Sequence, residues 1–310
     1  MNYLLYQAYG NKDIINEAIY SLFSYYYIVK DELSGEVKVV VYTDDIPAFE
    51  HFFSGKDFIY RPLTKELIKE WKGSIDFVHR VKIKILQDFF SDHPDANVLY
   101  VDSDTVFKTN PAVLYKSIAD NRFVMHTMEG VIKDKTNPIF NKLYKYLVYN
   151  DIIVPGSVNI RVSIDTQMWN AGVIGINDKQ KNILEKVLDF TDSLYPHFPK
   201  HIVEQFAFSY YFQNNAEIIP AEPYIFHYWN FKEFRTVLTG FFERYKDDDL
   251  QSVLNKIHDI DPQKLIISKL EYESQSGPVK FIRKILGKKW KMNLTQFPGY
   301  LISHKTNKRK

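Results

Sequence analysis

A chain of 310 residues, 45% hydrophobic and 16% aromatic, is long enough to bury a sizeable core and too apolar to remain disordered. Its net charge is only +2, and it has no cysteine, which excludes a disulfide framework and a thiolate metal site and leans toward a reducing compartment. No run reaches the roughly 18 apolar residues of a membrane span, and the opening MNYLLYQAYGNKD lacks the basic and apolar regions of a signal peptide. The expectation is a cytoplasmic protein, soluble or peripheral to a membrane.

The first predicted element is a strand over Asn2 to Ala8, followed by a turn at Tyr9-Gly10-Asn11. Asp13 is placed to cap a helix whose Ile14, Ala18, Leu22 and Tyr25 recur at helical spacing. Val37 to Tyr42 is a β-branched run, the mark of a strand buried on both faces, and Thr43-Asp44-Asp45 ends it. Asp76 to Phe90 reads as a helix with Val78, Val81, Ile85 and Phe89 in one stripe. After a loop at His93-Pro94-Asp95, a strand over Val98 to Val101 runs into Asp102-Ser103-Asp104. Further on come a helix over Ile139 to Tyr149, a turn at Pro155-Gly156, and a strand over Val173 to Ile176 entered through Asn170-Ala171-Gly172. Small residues at that entrance let something approach the backbone closely. A helix over Lys179 to Leu194, a second helix carrying Glu204-Gln205 and a short strand at Ile218-Ile219 complete the series. No internal repeat is visible.

Strands alternating with helices predict an α/β fold, a Rossmann-type, mostly parallel sheet covered by helices on both sides. In such sheets ligands bind beyond the carboxyl ends of the strands. Tyr9, Asp44 and the Asp102/Asp104 pair all fall at such ends. Residues i and i+2 of a strand face the same way, so two carboxylates there would resist ionising together unless a divalent cation relieved them.

Two enzyme patterns fit the acid pair. DSDTV satisfies the core of the haloacid dehalogenase-like phosphatase motif, with Asp102 as nucleophile and Asp104 as general acid. That motif normally opens its chain on the first strand, whereas at least two strands precede it here. The whole of residues 1 to about 232 resembles the nucleotide-sugar-dependent glycosyltransferases of the GT-A fold. The likeness is greatest to the family-eight type that includes bacterial lipopolysaccharide galactosyltransferases. It rests on the acid pair in VLYVDSD, Arg80 on the helix before it, Asn170-Ala171-Gly172, the acid–amide pair Glu204-Gln205, and His227 in YIFHYW. The Gly and Lys-Pro-Trp that usually follow that histidine are absent, and Asn230 and Lys232 stand nearby instead.

The resemblance implies a GT-A-like fold and transfer of a hexose from a nucleotide diphosphate sugar, UDP being expected, with retention at the anomeric carbon. It implies Mn²⁺ (or Mg²⁺) held by Asp102, Asp104 and His227, hard cations that accept mixed oxygen and nitrogen ligands. Asp104 is expected to be the more direct ligand, with Asp102 also touching the ribose and Ser103 beside it. Arg80, Lys84 and Lys232 are expected near the diphosphate, Ala8, Tyr9 and Asp44 near the nucleoside, and Asn170, Glu204 and Gln205 at the reacting sugar. Trp71 and Trp229 are candidates for stacking on sugar. A catalytically silent sugar-nucleotide-binding protein on the same fold is the remaining alternative.

The charge is unevenly spread. Ten of the 40 basic residues and none of the 38 acids lie in residues 279–310. Within PVKFIRKILGKKWKM, residues 278–292, Val279, Ile282, Ile285 and Leu286 share one helical face, and lysines and arginines fill the rest. Basic amphipathic helices of this kind bind anionic membrane surfaces, and the apolar stripe argues against nucleic acid. The reading divides the chain into a catalytic domain over residues 1–240 and a helical region with this tail over residues 241–310. Its acceptor would be a glycan or lipid-linked glycan at the inner face of a membrane.

Overall fold

The structure is a computed structural model that describes residues 1–30, 36–135, 137–154 and 159–293. In chain order its first half contains β1 (Asn2–Ala8), α1 (Lys12–Val29), β2 (Val37–Thr43), α2 (Ile46–Phe53), β3 (Phe58–Pro62), α3 (Lys65–Lys72), α4 (Arg80–Asp92), β4 (Asn97–Val101), β5 (Thr105–Phe107), α5 (Ala112–Ala119), β6 (Phe123–Met125), β7 (Met128–Val131) and α6 (Pro138–Tyr149). The second half contains β8 (Gln167–Trp169), β9 (Val173–Asn177), α7 (Ile183–Leu194), α8 (Val203–Gln213), β10 (Ile218–Pro220), β11 (Ile225–His227), α9 (Phe234–Arg244), α10 (Leu250–Leu254), α11 (Pro262–Leu265), α12 (Ile267–Glu273) and α13 (Gly277–Ile285).

Seven strands form the central sheet in the order β10-β6-β9-β4-β1-β2-β3. Every neighbouring pair is parallel except those of β9, which runs against both β4 and β6. The mostly parallel, helix-covered α/β fold expected from the sequence is therefore present. The strands read as near-continuous apolar runs because each face of the sheet carries its own core. On β1, Leu4, Tyr6 and Ala8 join one core while Leu5 joins the other. On β2, Val39 and Val41 oppose Val40 and Tyr42. The aromatic surplus is largely spent here, with Phe23, Phe49, Phe53, Phe89, Phe123, Phe140 and Phe190 among the largest fully buried side chains. Residues beyond α9 join the same packing, since Val253, Leu254, Ile257, Ile260 and Ile266 belong to the core that α1 lines.

Several local expectations are corrected. The α1 cap is Asn11, whose side chain accepts from the Asp13 backbone N–H at 2.9 Å; the helix begins at Lys12, so Asp13 already lies inside it. The fourth helix starts at Arg80 rather than Asp76. Asp76 adopts a left-handed φ of +48°, which breaks the helix, and leaves Val78 49% exposed outside the buried stripe. The helix expected from Lys179 is a short 3₁₀ turn over Asp178–Gln180 followed by α7. Short elements such as β3, β7 and β8 carried no clear periodic signal. The turn at Pro155-Gly156 lies outside the described residues, as does the tail beyond residue 293.

Two features position the site. The parallel register sets Ala8 opposite Thr43 and Tyr6 opposite Val101, so the carboxyl ends of β1, β2 and β4 share one edge of the sheet. A separate two-stranded ribbon pairs β5 with β11, setting His227 opposite Thr105. The Tyr228 N–H extends this pairing by donating to the Asp104 carbonyl at 3.0 Å. The histidine, distant in sequence, is thus carried to the acid pair by backbone hydrogen bonds.

Candidate active site

β4 ends at Val101, and residues 102–104 form a bend, so the two acids do not share a strand face as i and i+2. They converge nonetheless. Ligand atoms of Asp102, Asp104 and His227 all lie within 4.8 Å of one another. The bend is closed by the Thr105 hydroxyl, which donates to the Asp102 carbonyl at 2.8 Å, and by the Asp102 N–H, which donates to the Gly172 carbonyl at 2.8 Å.

The ring of His227 is fixed from behind. Asn170 Nδ2 donates to Glu129 Oε1 at 2.8 Å, which turns Asn170 Oδ1 toward the Gly172 N–H at 2.9 Å and His227 Nδ1 at 3.0 Å. An acceptor facing Nδ1 assigns the proton to that nitrogen and directs the Nε2 lone pair at Asp104 Oδ1, 3.0 Å away. A lone pair against a carboxylate oxygen is favourable only with a proton or a cation between them. Two carboxylates and one imidazole nitrogen oriented in this way fit a divalent cation. Gly172 explains the small residues at the entrance to β9. A Cβ there would lie 2.2 Å from His227 Nδ1, so only glycine admits the ring.

Lys232 Nζ lies 2.6 Å from Asp104 Oδ2. Burial pushes the Asp104 carboxyl up, but the Lys232 ammonium and His227, once a proton fills the gap at its Nε2, together outweigh it and hold the group well below the usual carboxylate range.

The residue that sequence reasoning missed is Lys82. Its ammonium is buried, 3.2 Å from Asp102 Oδ1, 3.1 Å from Glu204 Oε1 and 2.9 Å from the Ala171 carbonyl. Burial disfavours its charge, yet Asp102 and Glu204 more than compensate, and its pKa stands above the usual lysine range. Glu204 is pushed up by its burial and pulled down by Lys82, with a net upward shift. A signal for Lys82 existed, because it stands three, four and seven residues before Ile85, Leu86 and Phe89, on the buried face of α4. A lysine on an apolar helical face must find a partner. Glu129 was missed as well. Besides Asn170, it accepts from Gln205 Nε2 at 2.9 Å, joining two of the expected residues.

A cavity of about 680 Å³ is lined by Lys82, Asp102, Asp104, Glu129, Asn170, Gly172, Glu204, Gln205, His227 and Lys232, with His79, Asn137, Pro138, Ile139, Phe140, Ala171, His201, Ile202 and Trp229 completing the wall. Arg80 is not among them. Its guanidinium grips Asp192 at 2.7 and 3.0 Å and the Trp71 carbonyl at 2.7 Å, tying α4 to α7 and α3, and it lies against Gly73. Two residues apart on a helix, Arg80 and Lys82 point in different directions. Lys84 donates to Gln87 at 3.0 Å on the helix surface. Ser103 sits in the bend between the acids without lining the cavity. Ala8, Tyr9 and Asp44 lie at the neighbouring strand ends, where the Gly10 N–H donates to Asp44 Oδ2 at 3.0 Å. The Tyr9 hydroxyl is buried without a hydrogen-bond partner among the described residues, and burial, assisted by Asp44, pushes it up to about 12. Trp71 is a core residue at 6% exposure, whereas Trp229 is 54% exposed.

No family model matches the chain, and no curated protein matches it. Solved structures similar to it include three glycosyltransferases. The galactosyltransferase LgtC, in complex with donor and acceptor sugar analogues, is 13% identical over 71% of this chain and 74% of its own, with a TM-score of 0.48. The glycosyltransferase GlyE of Streptococcus pneumoniae is 16% identical over 83% of this chain and 63% of its own, with a TM-score of 0.47. Mouse xyloside xylosyltransferase 1 is 12% identical over 71% of this chain and 85% of its own, with a TM-score of 0.46.

Proposed function

We propose that this chain is a metal-dependent glycosyltransferase, moving a hexose from a nucleotide diphosphate sugar, a UDP-sugar, to a glycan or lipid-linked glycan. The reading is carried by one observation. An Asp–Asp–His ligand set, a buried lysine and two further carboxylates, drawn from separate elements, line a single cavity at the carboxyl ends of the parallel strands of a mostly parallel sheet. Asp102, Asp104 and His227 would hold Mn²⁺ or Mg²⁺, which when bound would supply Lewis-acid chemistry to offset charge on the leaving diphosphate.

In this reading the chain's own residues bind and orient. Lys232, half exposed, moves its ammonium from Asp104 to the diphosphate. Glu129, Asn170 and Gln205 form a hydrogen-bonding fence for the hydroxyls of the donor sugar. Lys82 holds Asp102 and Glu204 in place, and it takes the cationic part that Arg80 and Lys84 leave vacant. Tyr9 and Asp44, with Ala8 between the strand ends, receive the nucleoside, and Ser103 lies beside the ribose. A dehalogenase-type phosphatase carries its acid pair at the end of its first strand, whereas here β1, β2 and β3 precede β4, which favours the transferase.

No helix among the described residues is long and apolar enough to cross a membrane. A peripheral location is supported by α13, whose Phe281, Ile282 and Ile285 are all more than half exposed beside Lys280, Arg283 and Lys284.

The test is thermal stabilisation by UDP, GDP and CDP, each with and without Mn²⁺. A ligand that binds only the folded state stabilises it by about 2.7 kcal/mol at a hundred times its Kd. Stabilisation by UDP only with Mn²⁺, and its loss in Asp104→Ala, is expected. No shift with any nucleotide, together with hydrolysis of a simple phosphate ester in Mg²⁺, would select the phosphatase. Metal-dependent UDP binding without transfer or slow hydrolysis of any UDP-hexose would select the silent binding protein.

A further inference from the structure

The polar machinery leaves part of the cavity wall without an assignment. Among the lining residues, Trp229 is the one large apolar side chain that is more than half exposed. It stands two positions after His227, and it is held rather than loose. Its neighbour Tyr228 is fully buried, with its N–H on the Asp104 carbonyl, and Phe231 is fully buried, with its N–H donating to the Tyr228 carbonyl at 2.8 Å. Lys269 donates to the Asn230 carbonyl and lies 2.8 Å from Glu233. The ring of Trp290 packs on Phe231 with centroids 6.4 Å apart. A short loop pinned at four points thus presents an indole to the cavity beside the acid cluster. Exposing an indole forgoes burial of a large apolar surface, which the flanking Tyr228 and Phe231 do not forgo.

We propose that Trp229 is the acceptor platform, its indole stacking on the C–H face of the terminal pyranose of the glycan that receives the sugar. This rests on the transferase reading above and adds to it the side of the cavity from which the acceptor enters. The chemistry matches at both ends. A pyranose with several axial hydrogens on one face has an apolar surface about the size of an indole, while its hydroxyls point sideways and can be met by polar residues lining the same cavity. A nucleobase could also stack on an indole, but Tyr9 and Asp44, at the strand ends outside this cavity, are the groups assigned to the base.

The experiment uses the full chain with UDP and Mn²⁺, and methyl β-galactopyranoside and methyl β-glucopyranoside as acceptor probes. Saturation-transfer NMR and thermal shift are recorded for the wild type, Trp229→Ala and Trp229→Phe. The expected result is saturation of the C–H face of one glycoside in the wild type and in Trp229→Phe. In Trp229→Ala the same glycoside binds about tenfold more weakly or not detectably. The UDP–Mn²⁺ shift is the same in all three. Three results overturn the platform: equal glycoside binding by Trp229→Ala, loss of the UDP–Mn²⁺ shift in that variant (which would make the indole a base-stacking group), or no binding of either glycoside to the UDP–Mn²⁺-loaded wild type. A wild type that UDP and Mn²⁺ do not stabilise overturns instead the transferase reading, and the platform with it.

Discussion

Lys82 is the sharpest point at which to probe the site. Replacing it by methionine keeps the aliphatic stem and removes the ammonium. Glu204, with 3% of its side chain exposed, then loses its ion-pair partner, while Asp102, 28% exposed, retains the Tyr100 hydroxyl and access to water. Breaking a buried ion pair by removing one partner costs about 3–5 kcal/mol, because the remaining charge has no compensation. The Glu204 carboxylate is the group that dominates this cost. The double variant Lys82→Met/Glu204→Met removes both buried charges and should cost about 2 kcal/mol less than the lysine change alone. Urea unfolding of the single and double variants reads both quantities. The pH dependence has a definite sign. Burial raises the Glu204 pKa in the folded chain, and losing Lys82 raises it further. Between the unfolded value of about 4.3 and that raised value, the native state holds a proton that the unfolded chain has released, so stability falls as pH rises. The deficit of Lys82→Met should therefore be smaller at pH 5 than at pH 8. Lys82 itself, with a raised folded pKa, contributes stability that is complete below about pH 10.4 and lost above it, so the wild type should lose stability more steeply than the variant there. A cost under about 1 kcal/mol, or strictly additive single changes, would refute the buried-pair argument.

Three further outcomes follow from the geometry. Gly172→Ala drives a methyl into the His227 ring, and should cost about 1–3 kcal/mol in urea while weakening Mn²⁺ binding measured by calorimetry; unchanged metal affinity would show that the ring has room to move. Arg80→Met removes the bidentate grip on Asp192 and should destabilise by about 1.5–3 kcal/mol with no change in donor KM, whereas a donor KM effect would return Arg80 to the site. Phe281→Glu/Ile285→Glu should abolish co-sedimentation with phosphatidylglycerol vesicles, binding that in the unaltered chain weakens with salt and is absent on phosphatidylcholine; retention by the variant would discard the membrane role of α13.

The class of fold and the chemistry on offer are legible in the chain alone. Apolar runs such as VKVVVY and VLYV announce strands covered on both faces, and carboxylates at their ends announce a ligand edge, because period and side-chain chemistry are local properties of the chain. The amphipathic basic tail is legible for the same reason. Which side chains meet is set by packing, although the family resemblance already groups Asp102, Asp104 and His227. His227 reaches Asp104 because β11 pairs with β5, an encounter across 123 positions of sequence that no spacing encodes. Arg80 and Lys82 are both basic residues on one helix, and only the packing of α4 against the sheet turns Lys82 inward to Asp102 and Glu204 and leaves Arg80 to Asp192. Glu129, on a strand too short to carry a period, joins Asn170 and Gln205 only once β7 has paired with β8. Charge and periodicity are written residue by residue, whereas the direction in which a helix or a ribbon presents those residues is set by the burial of everything else on it.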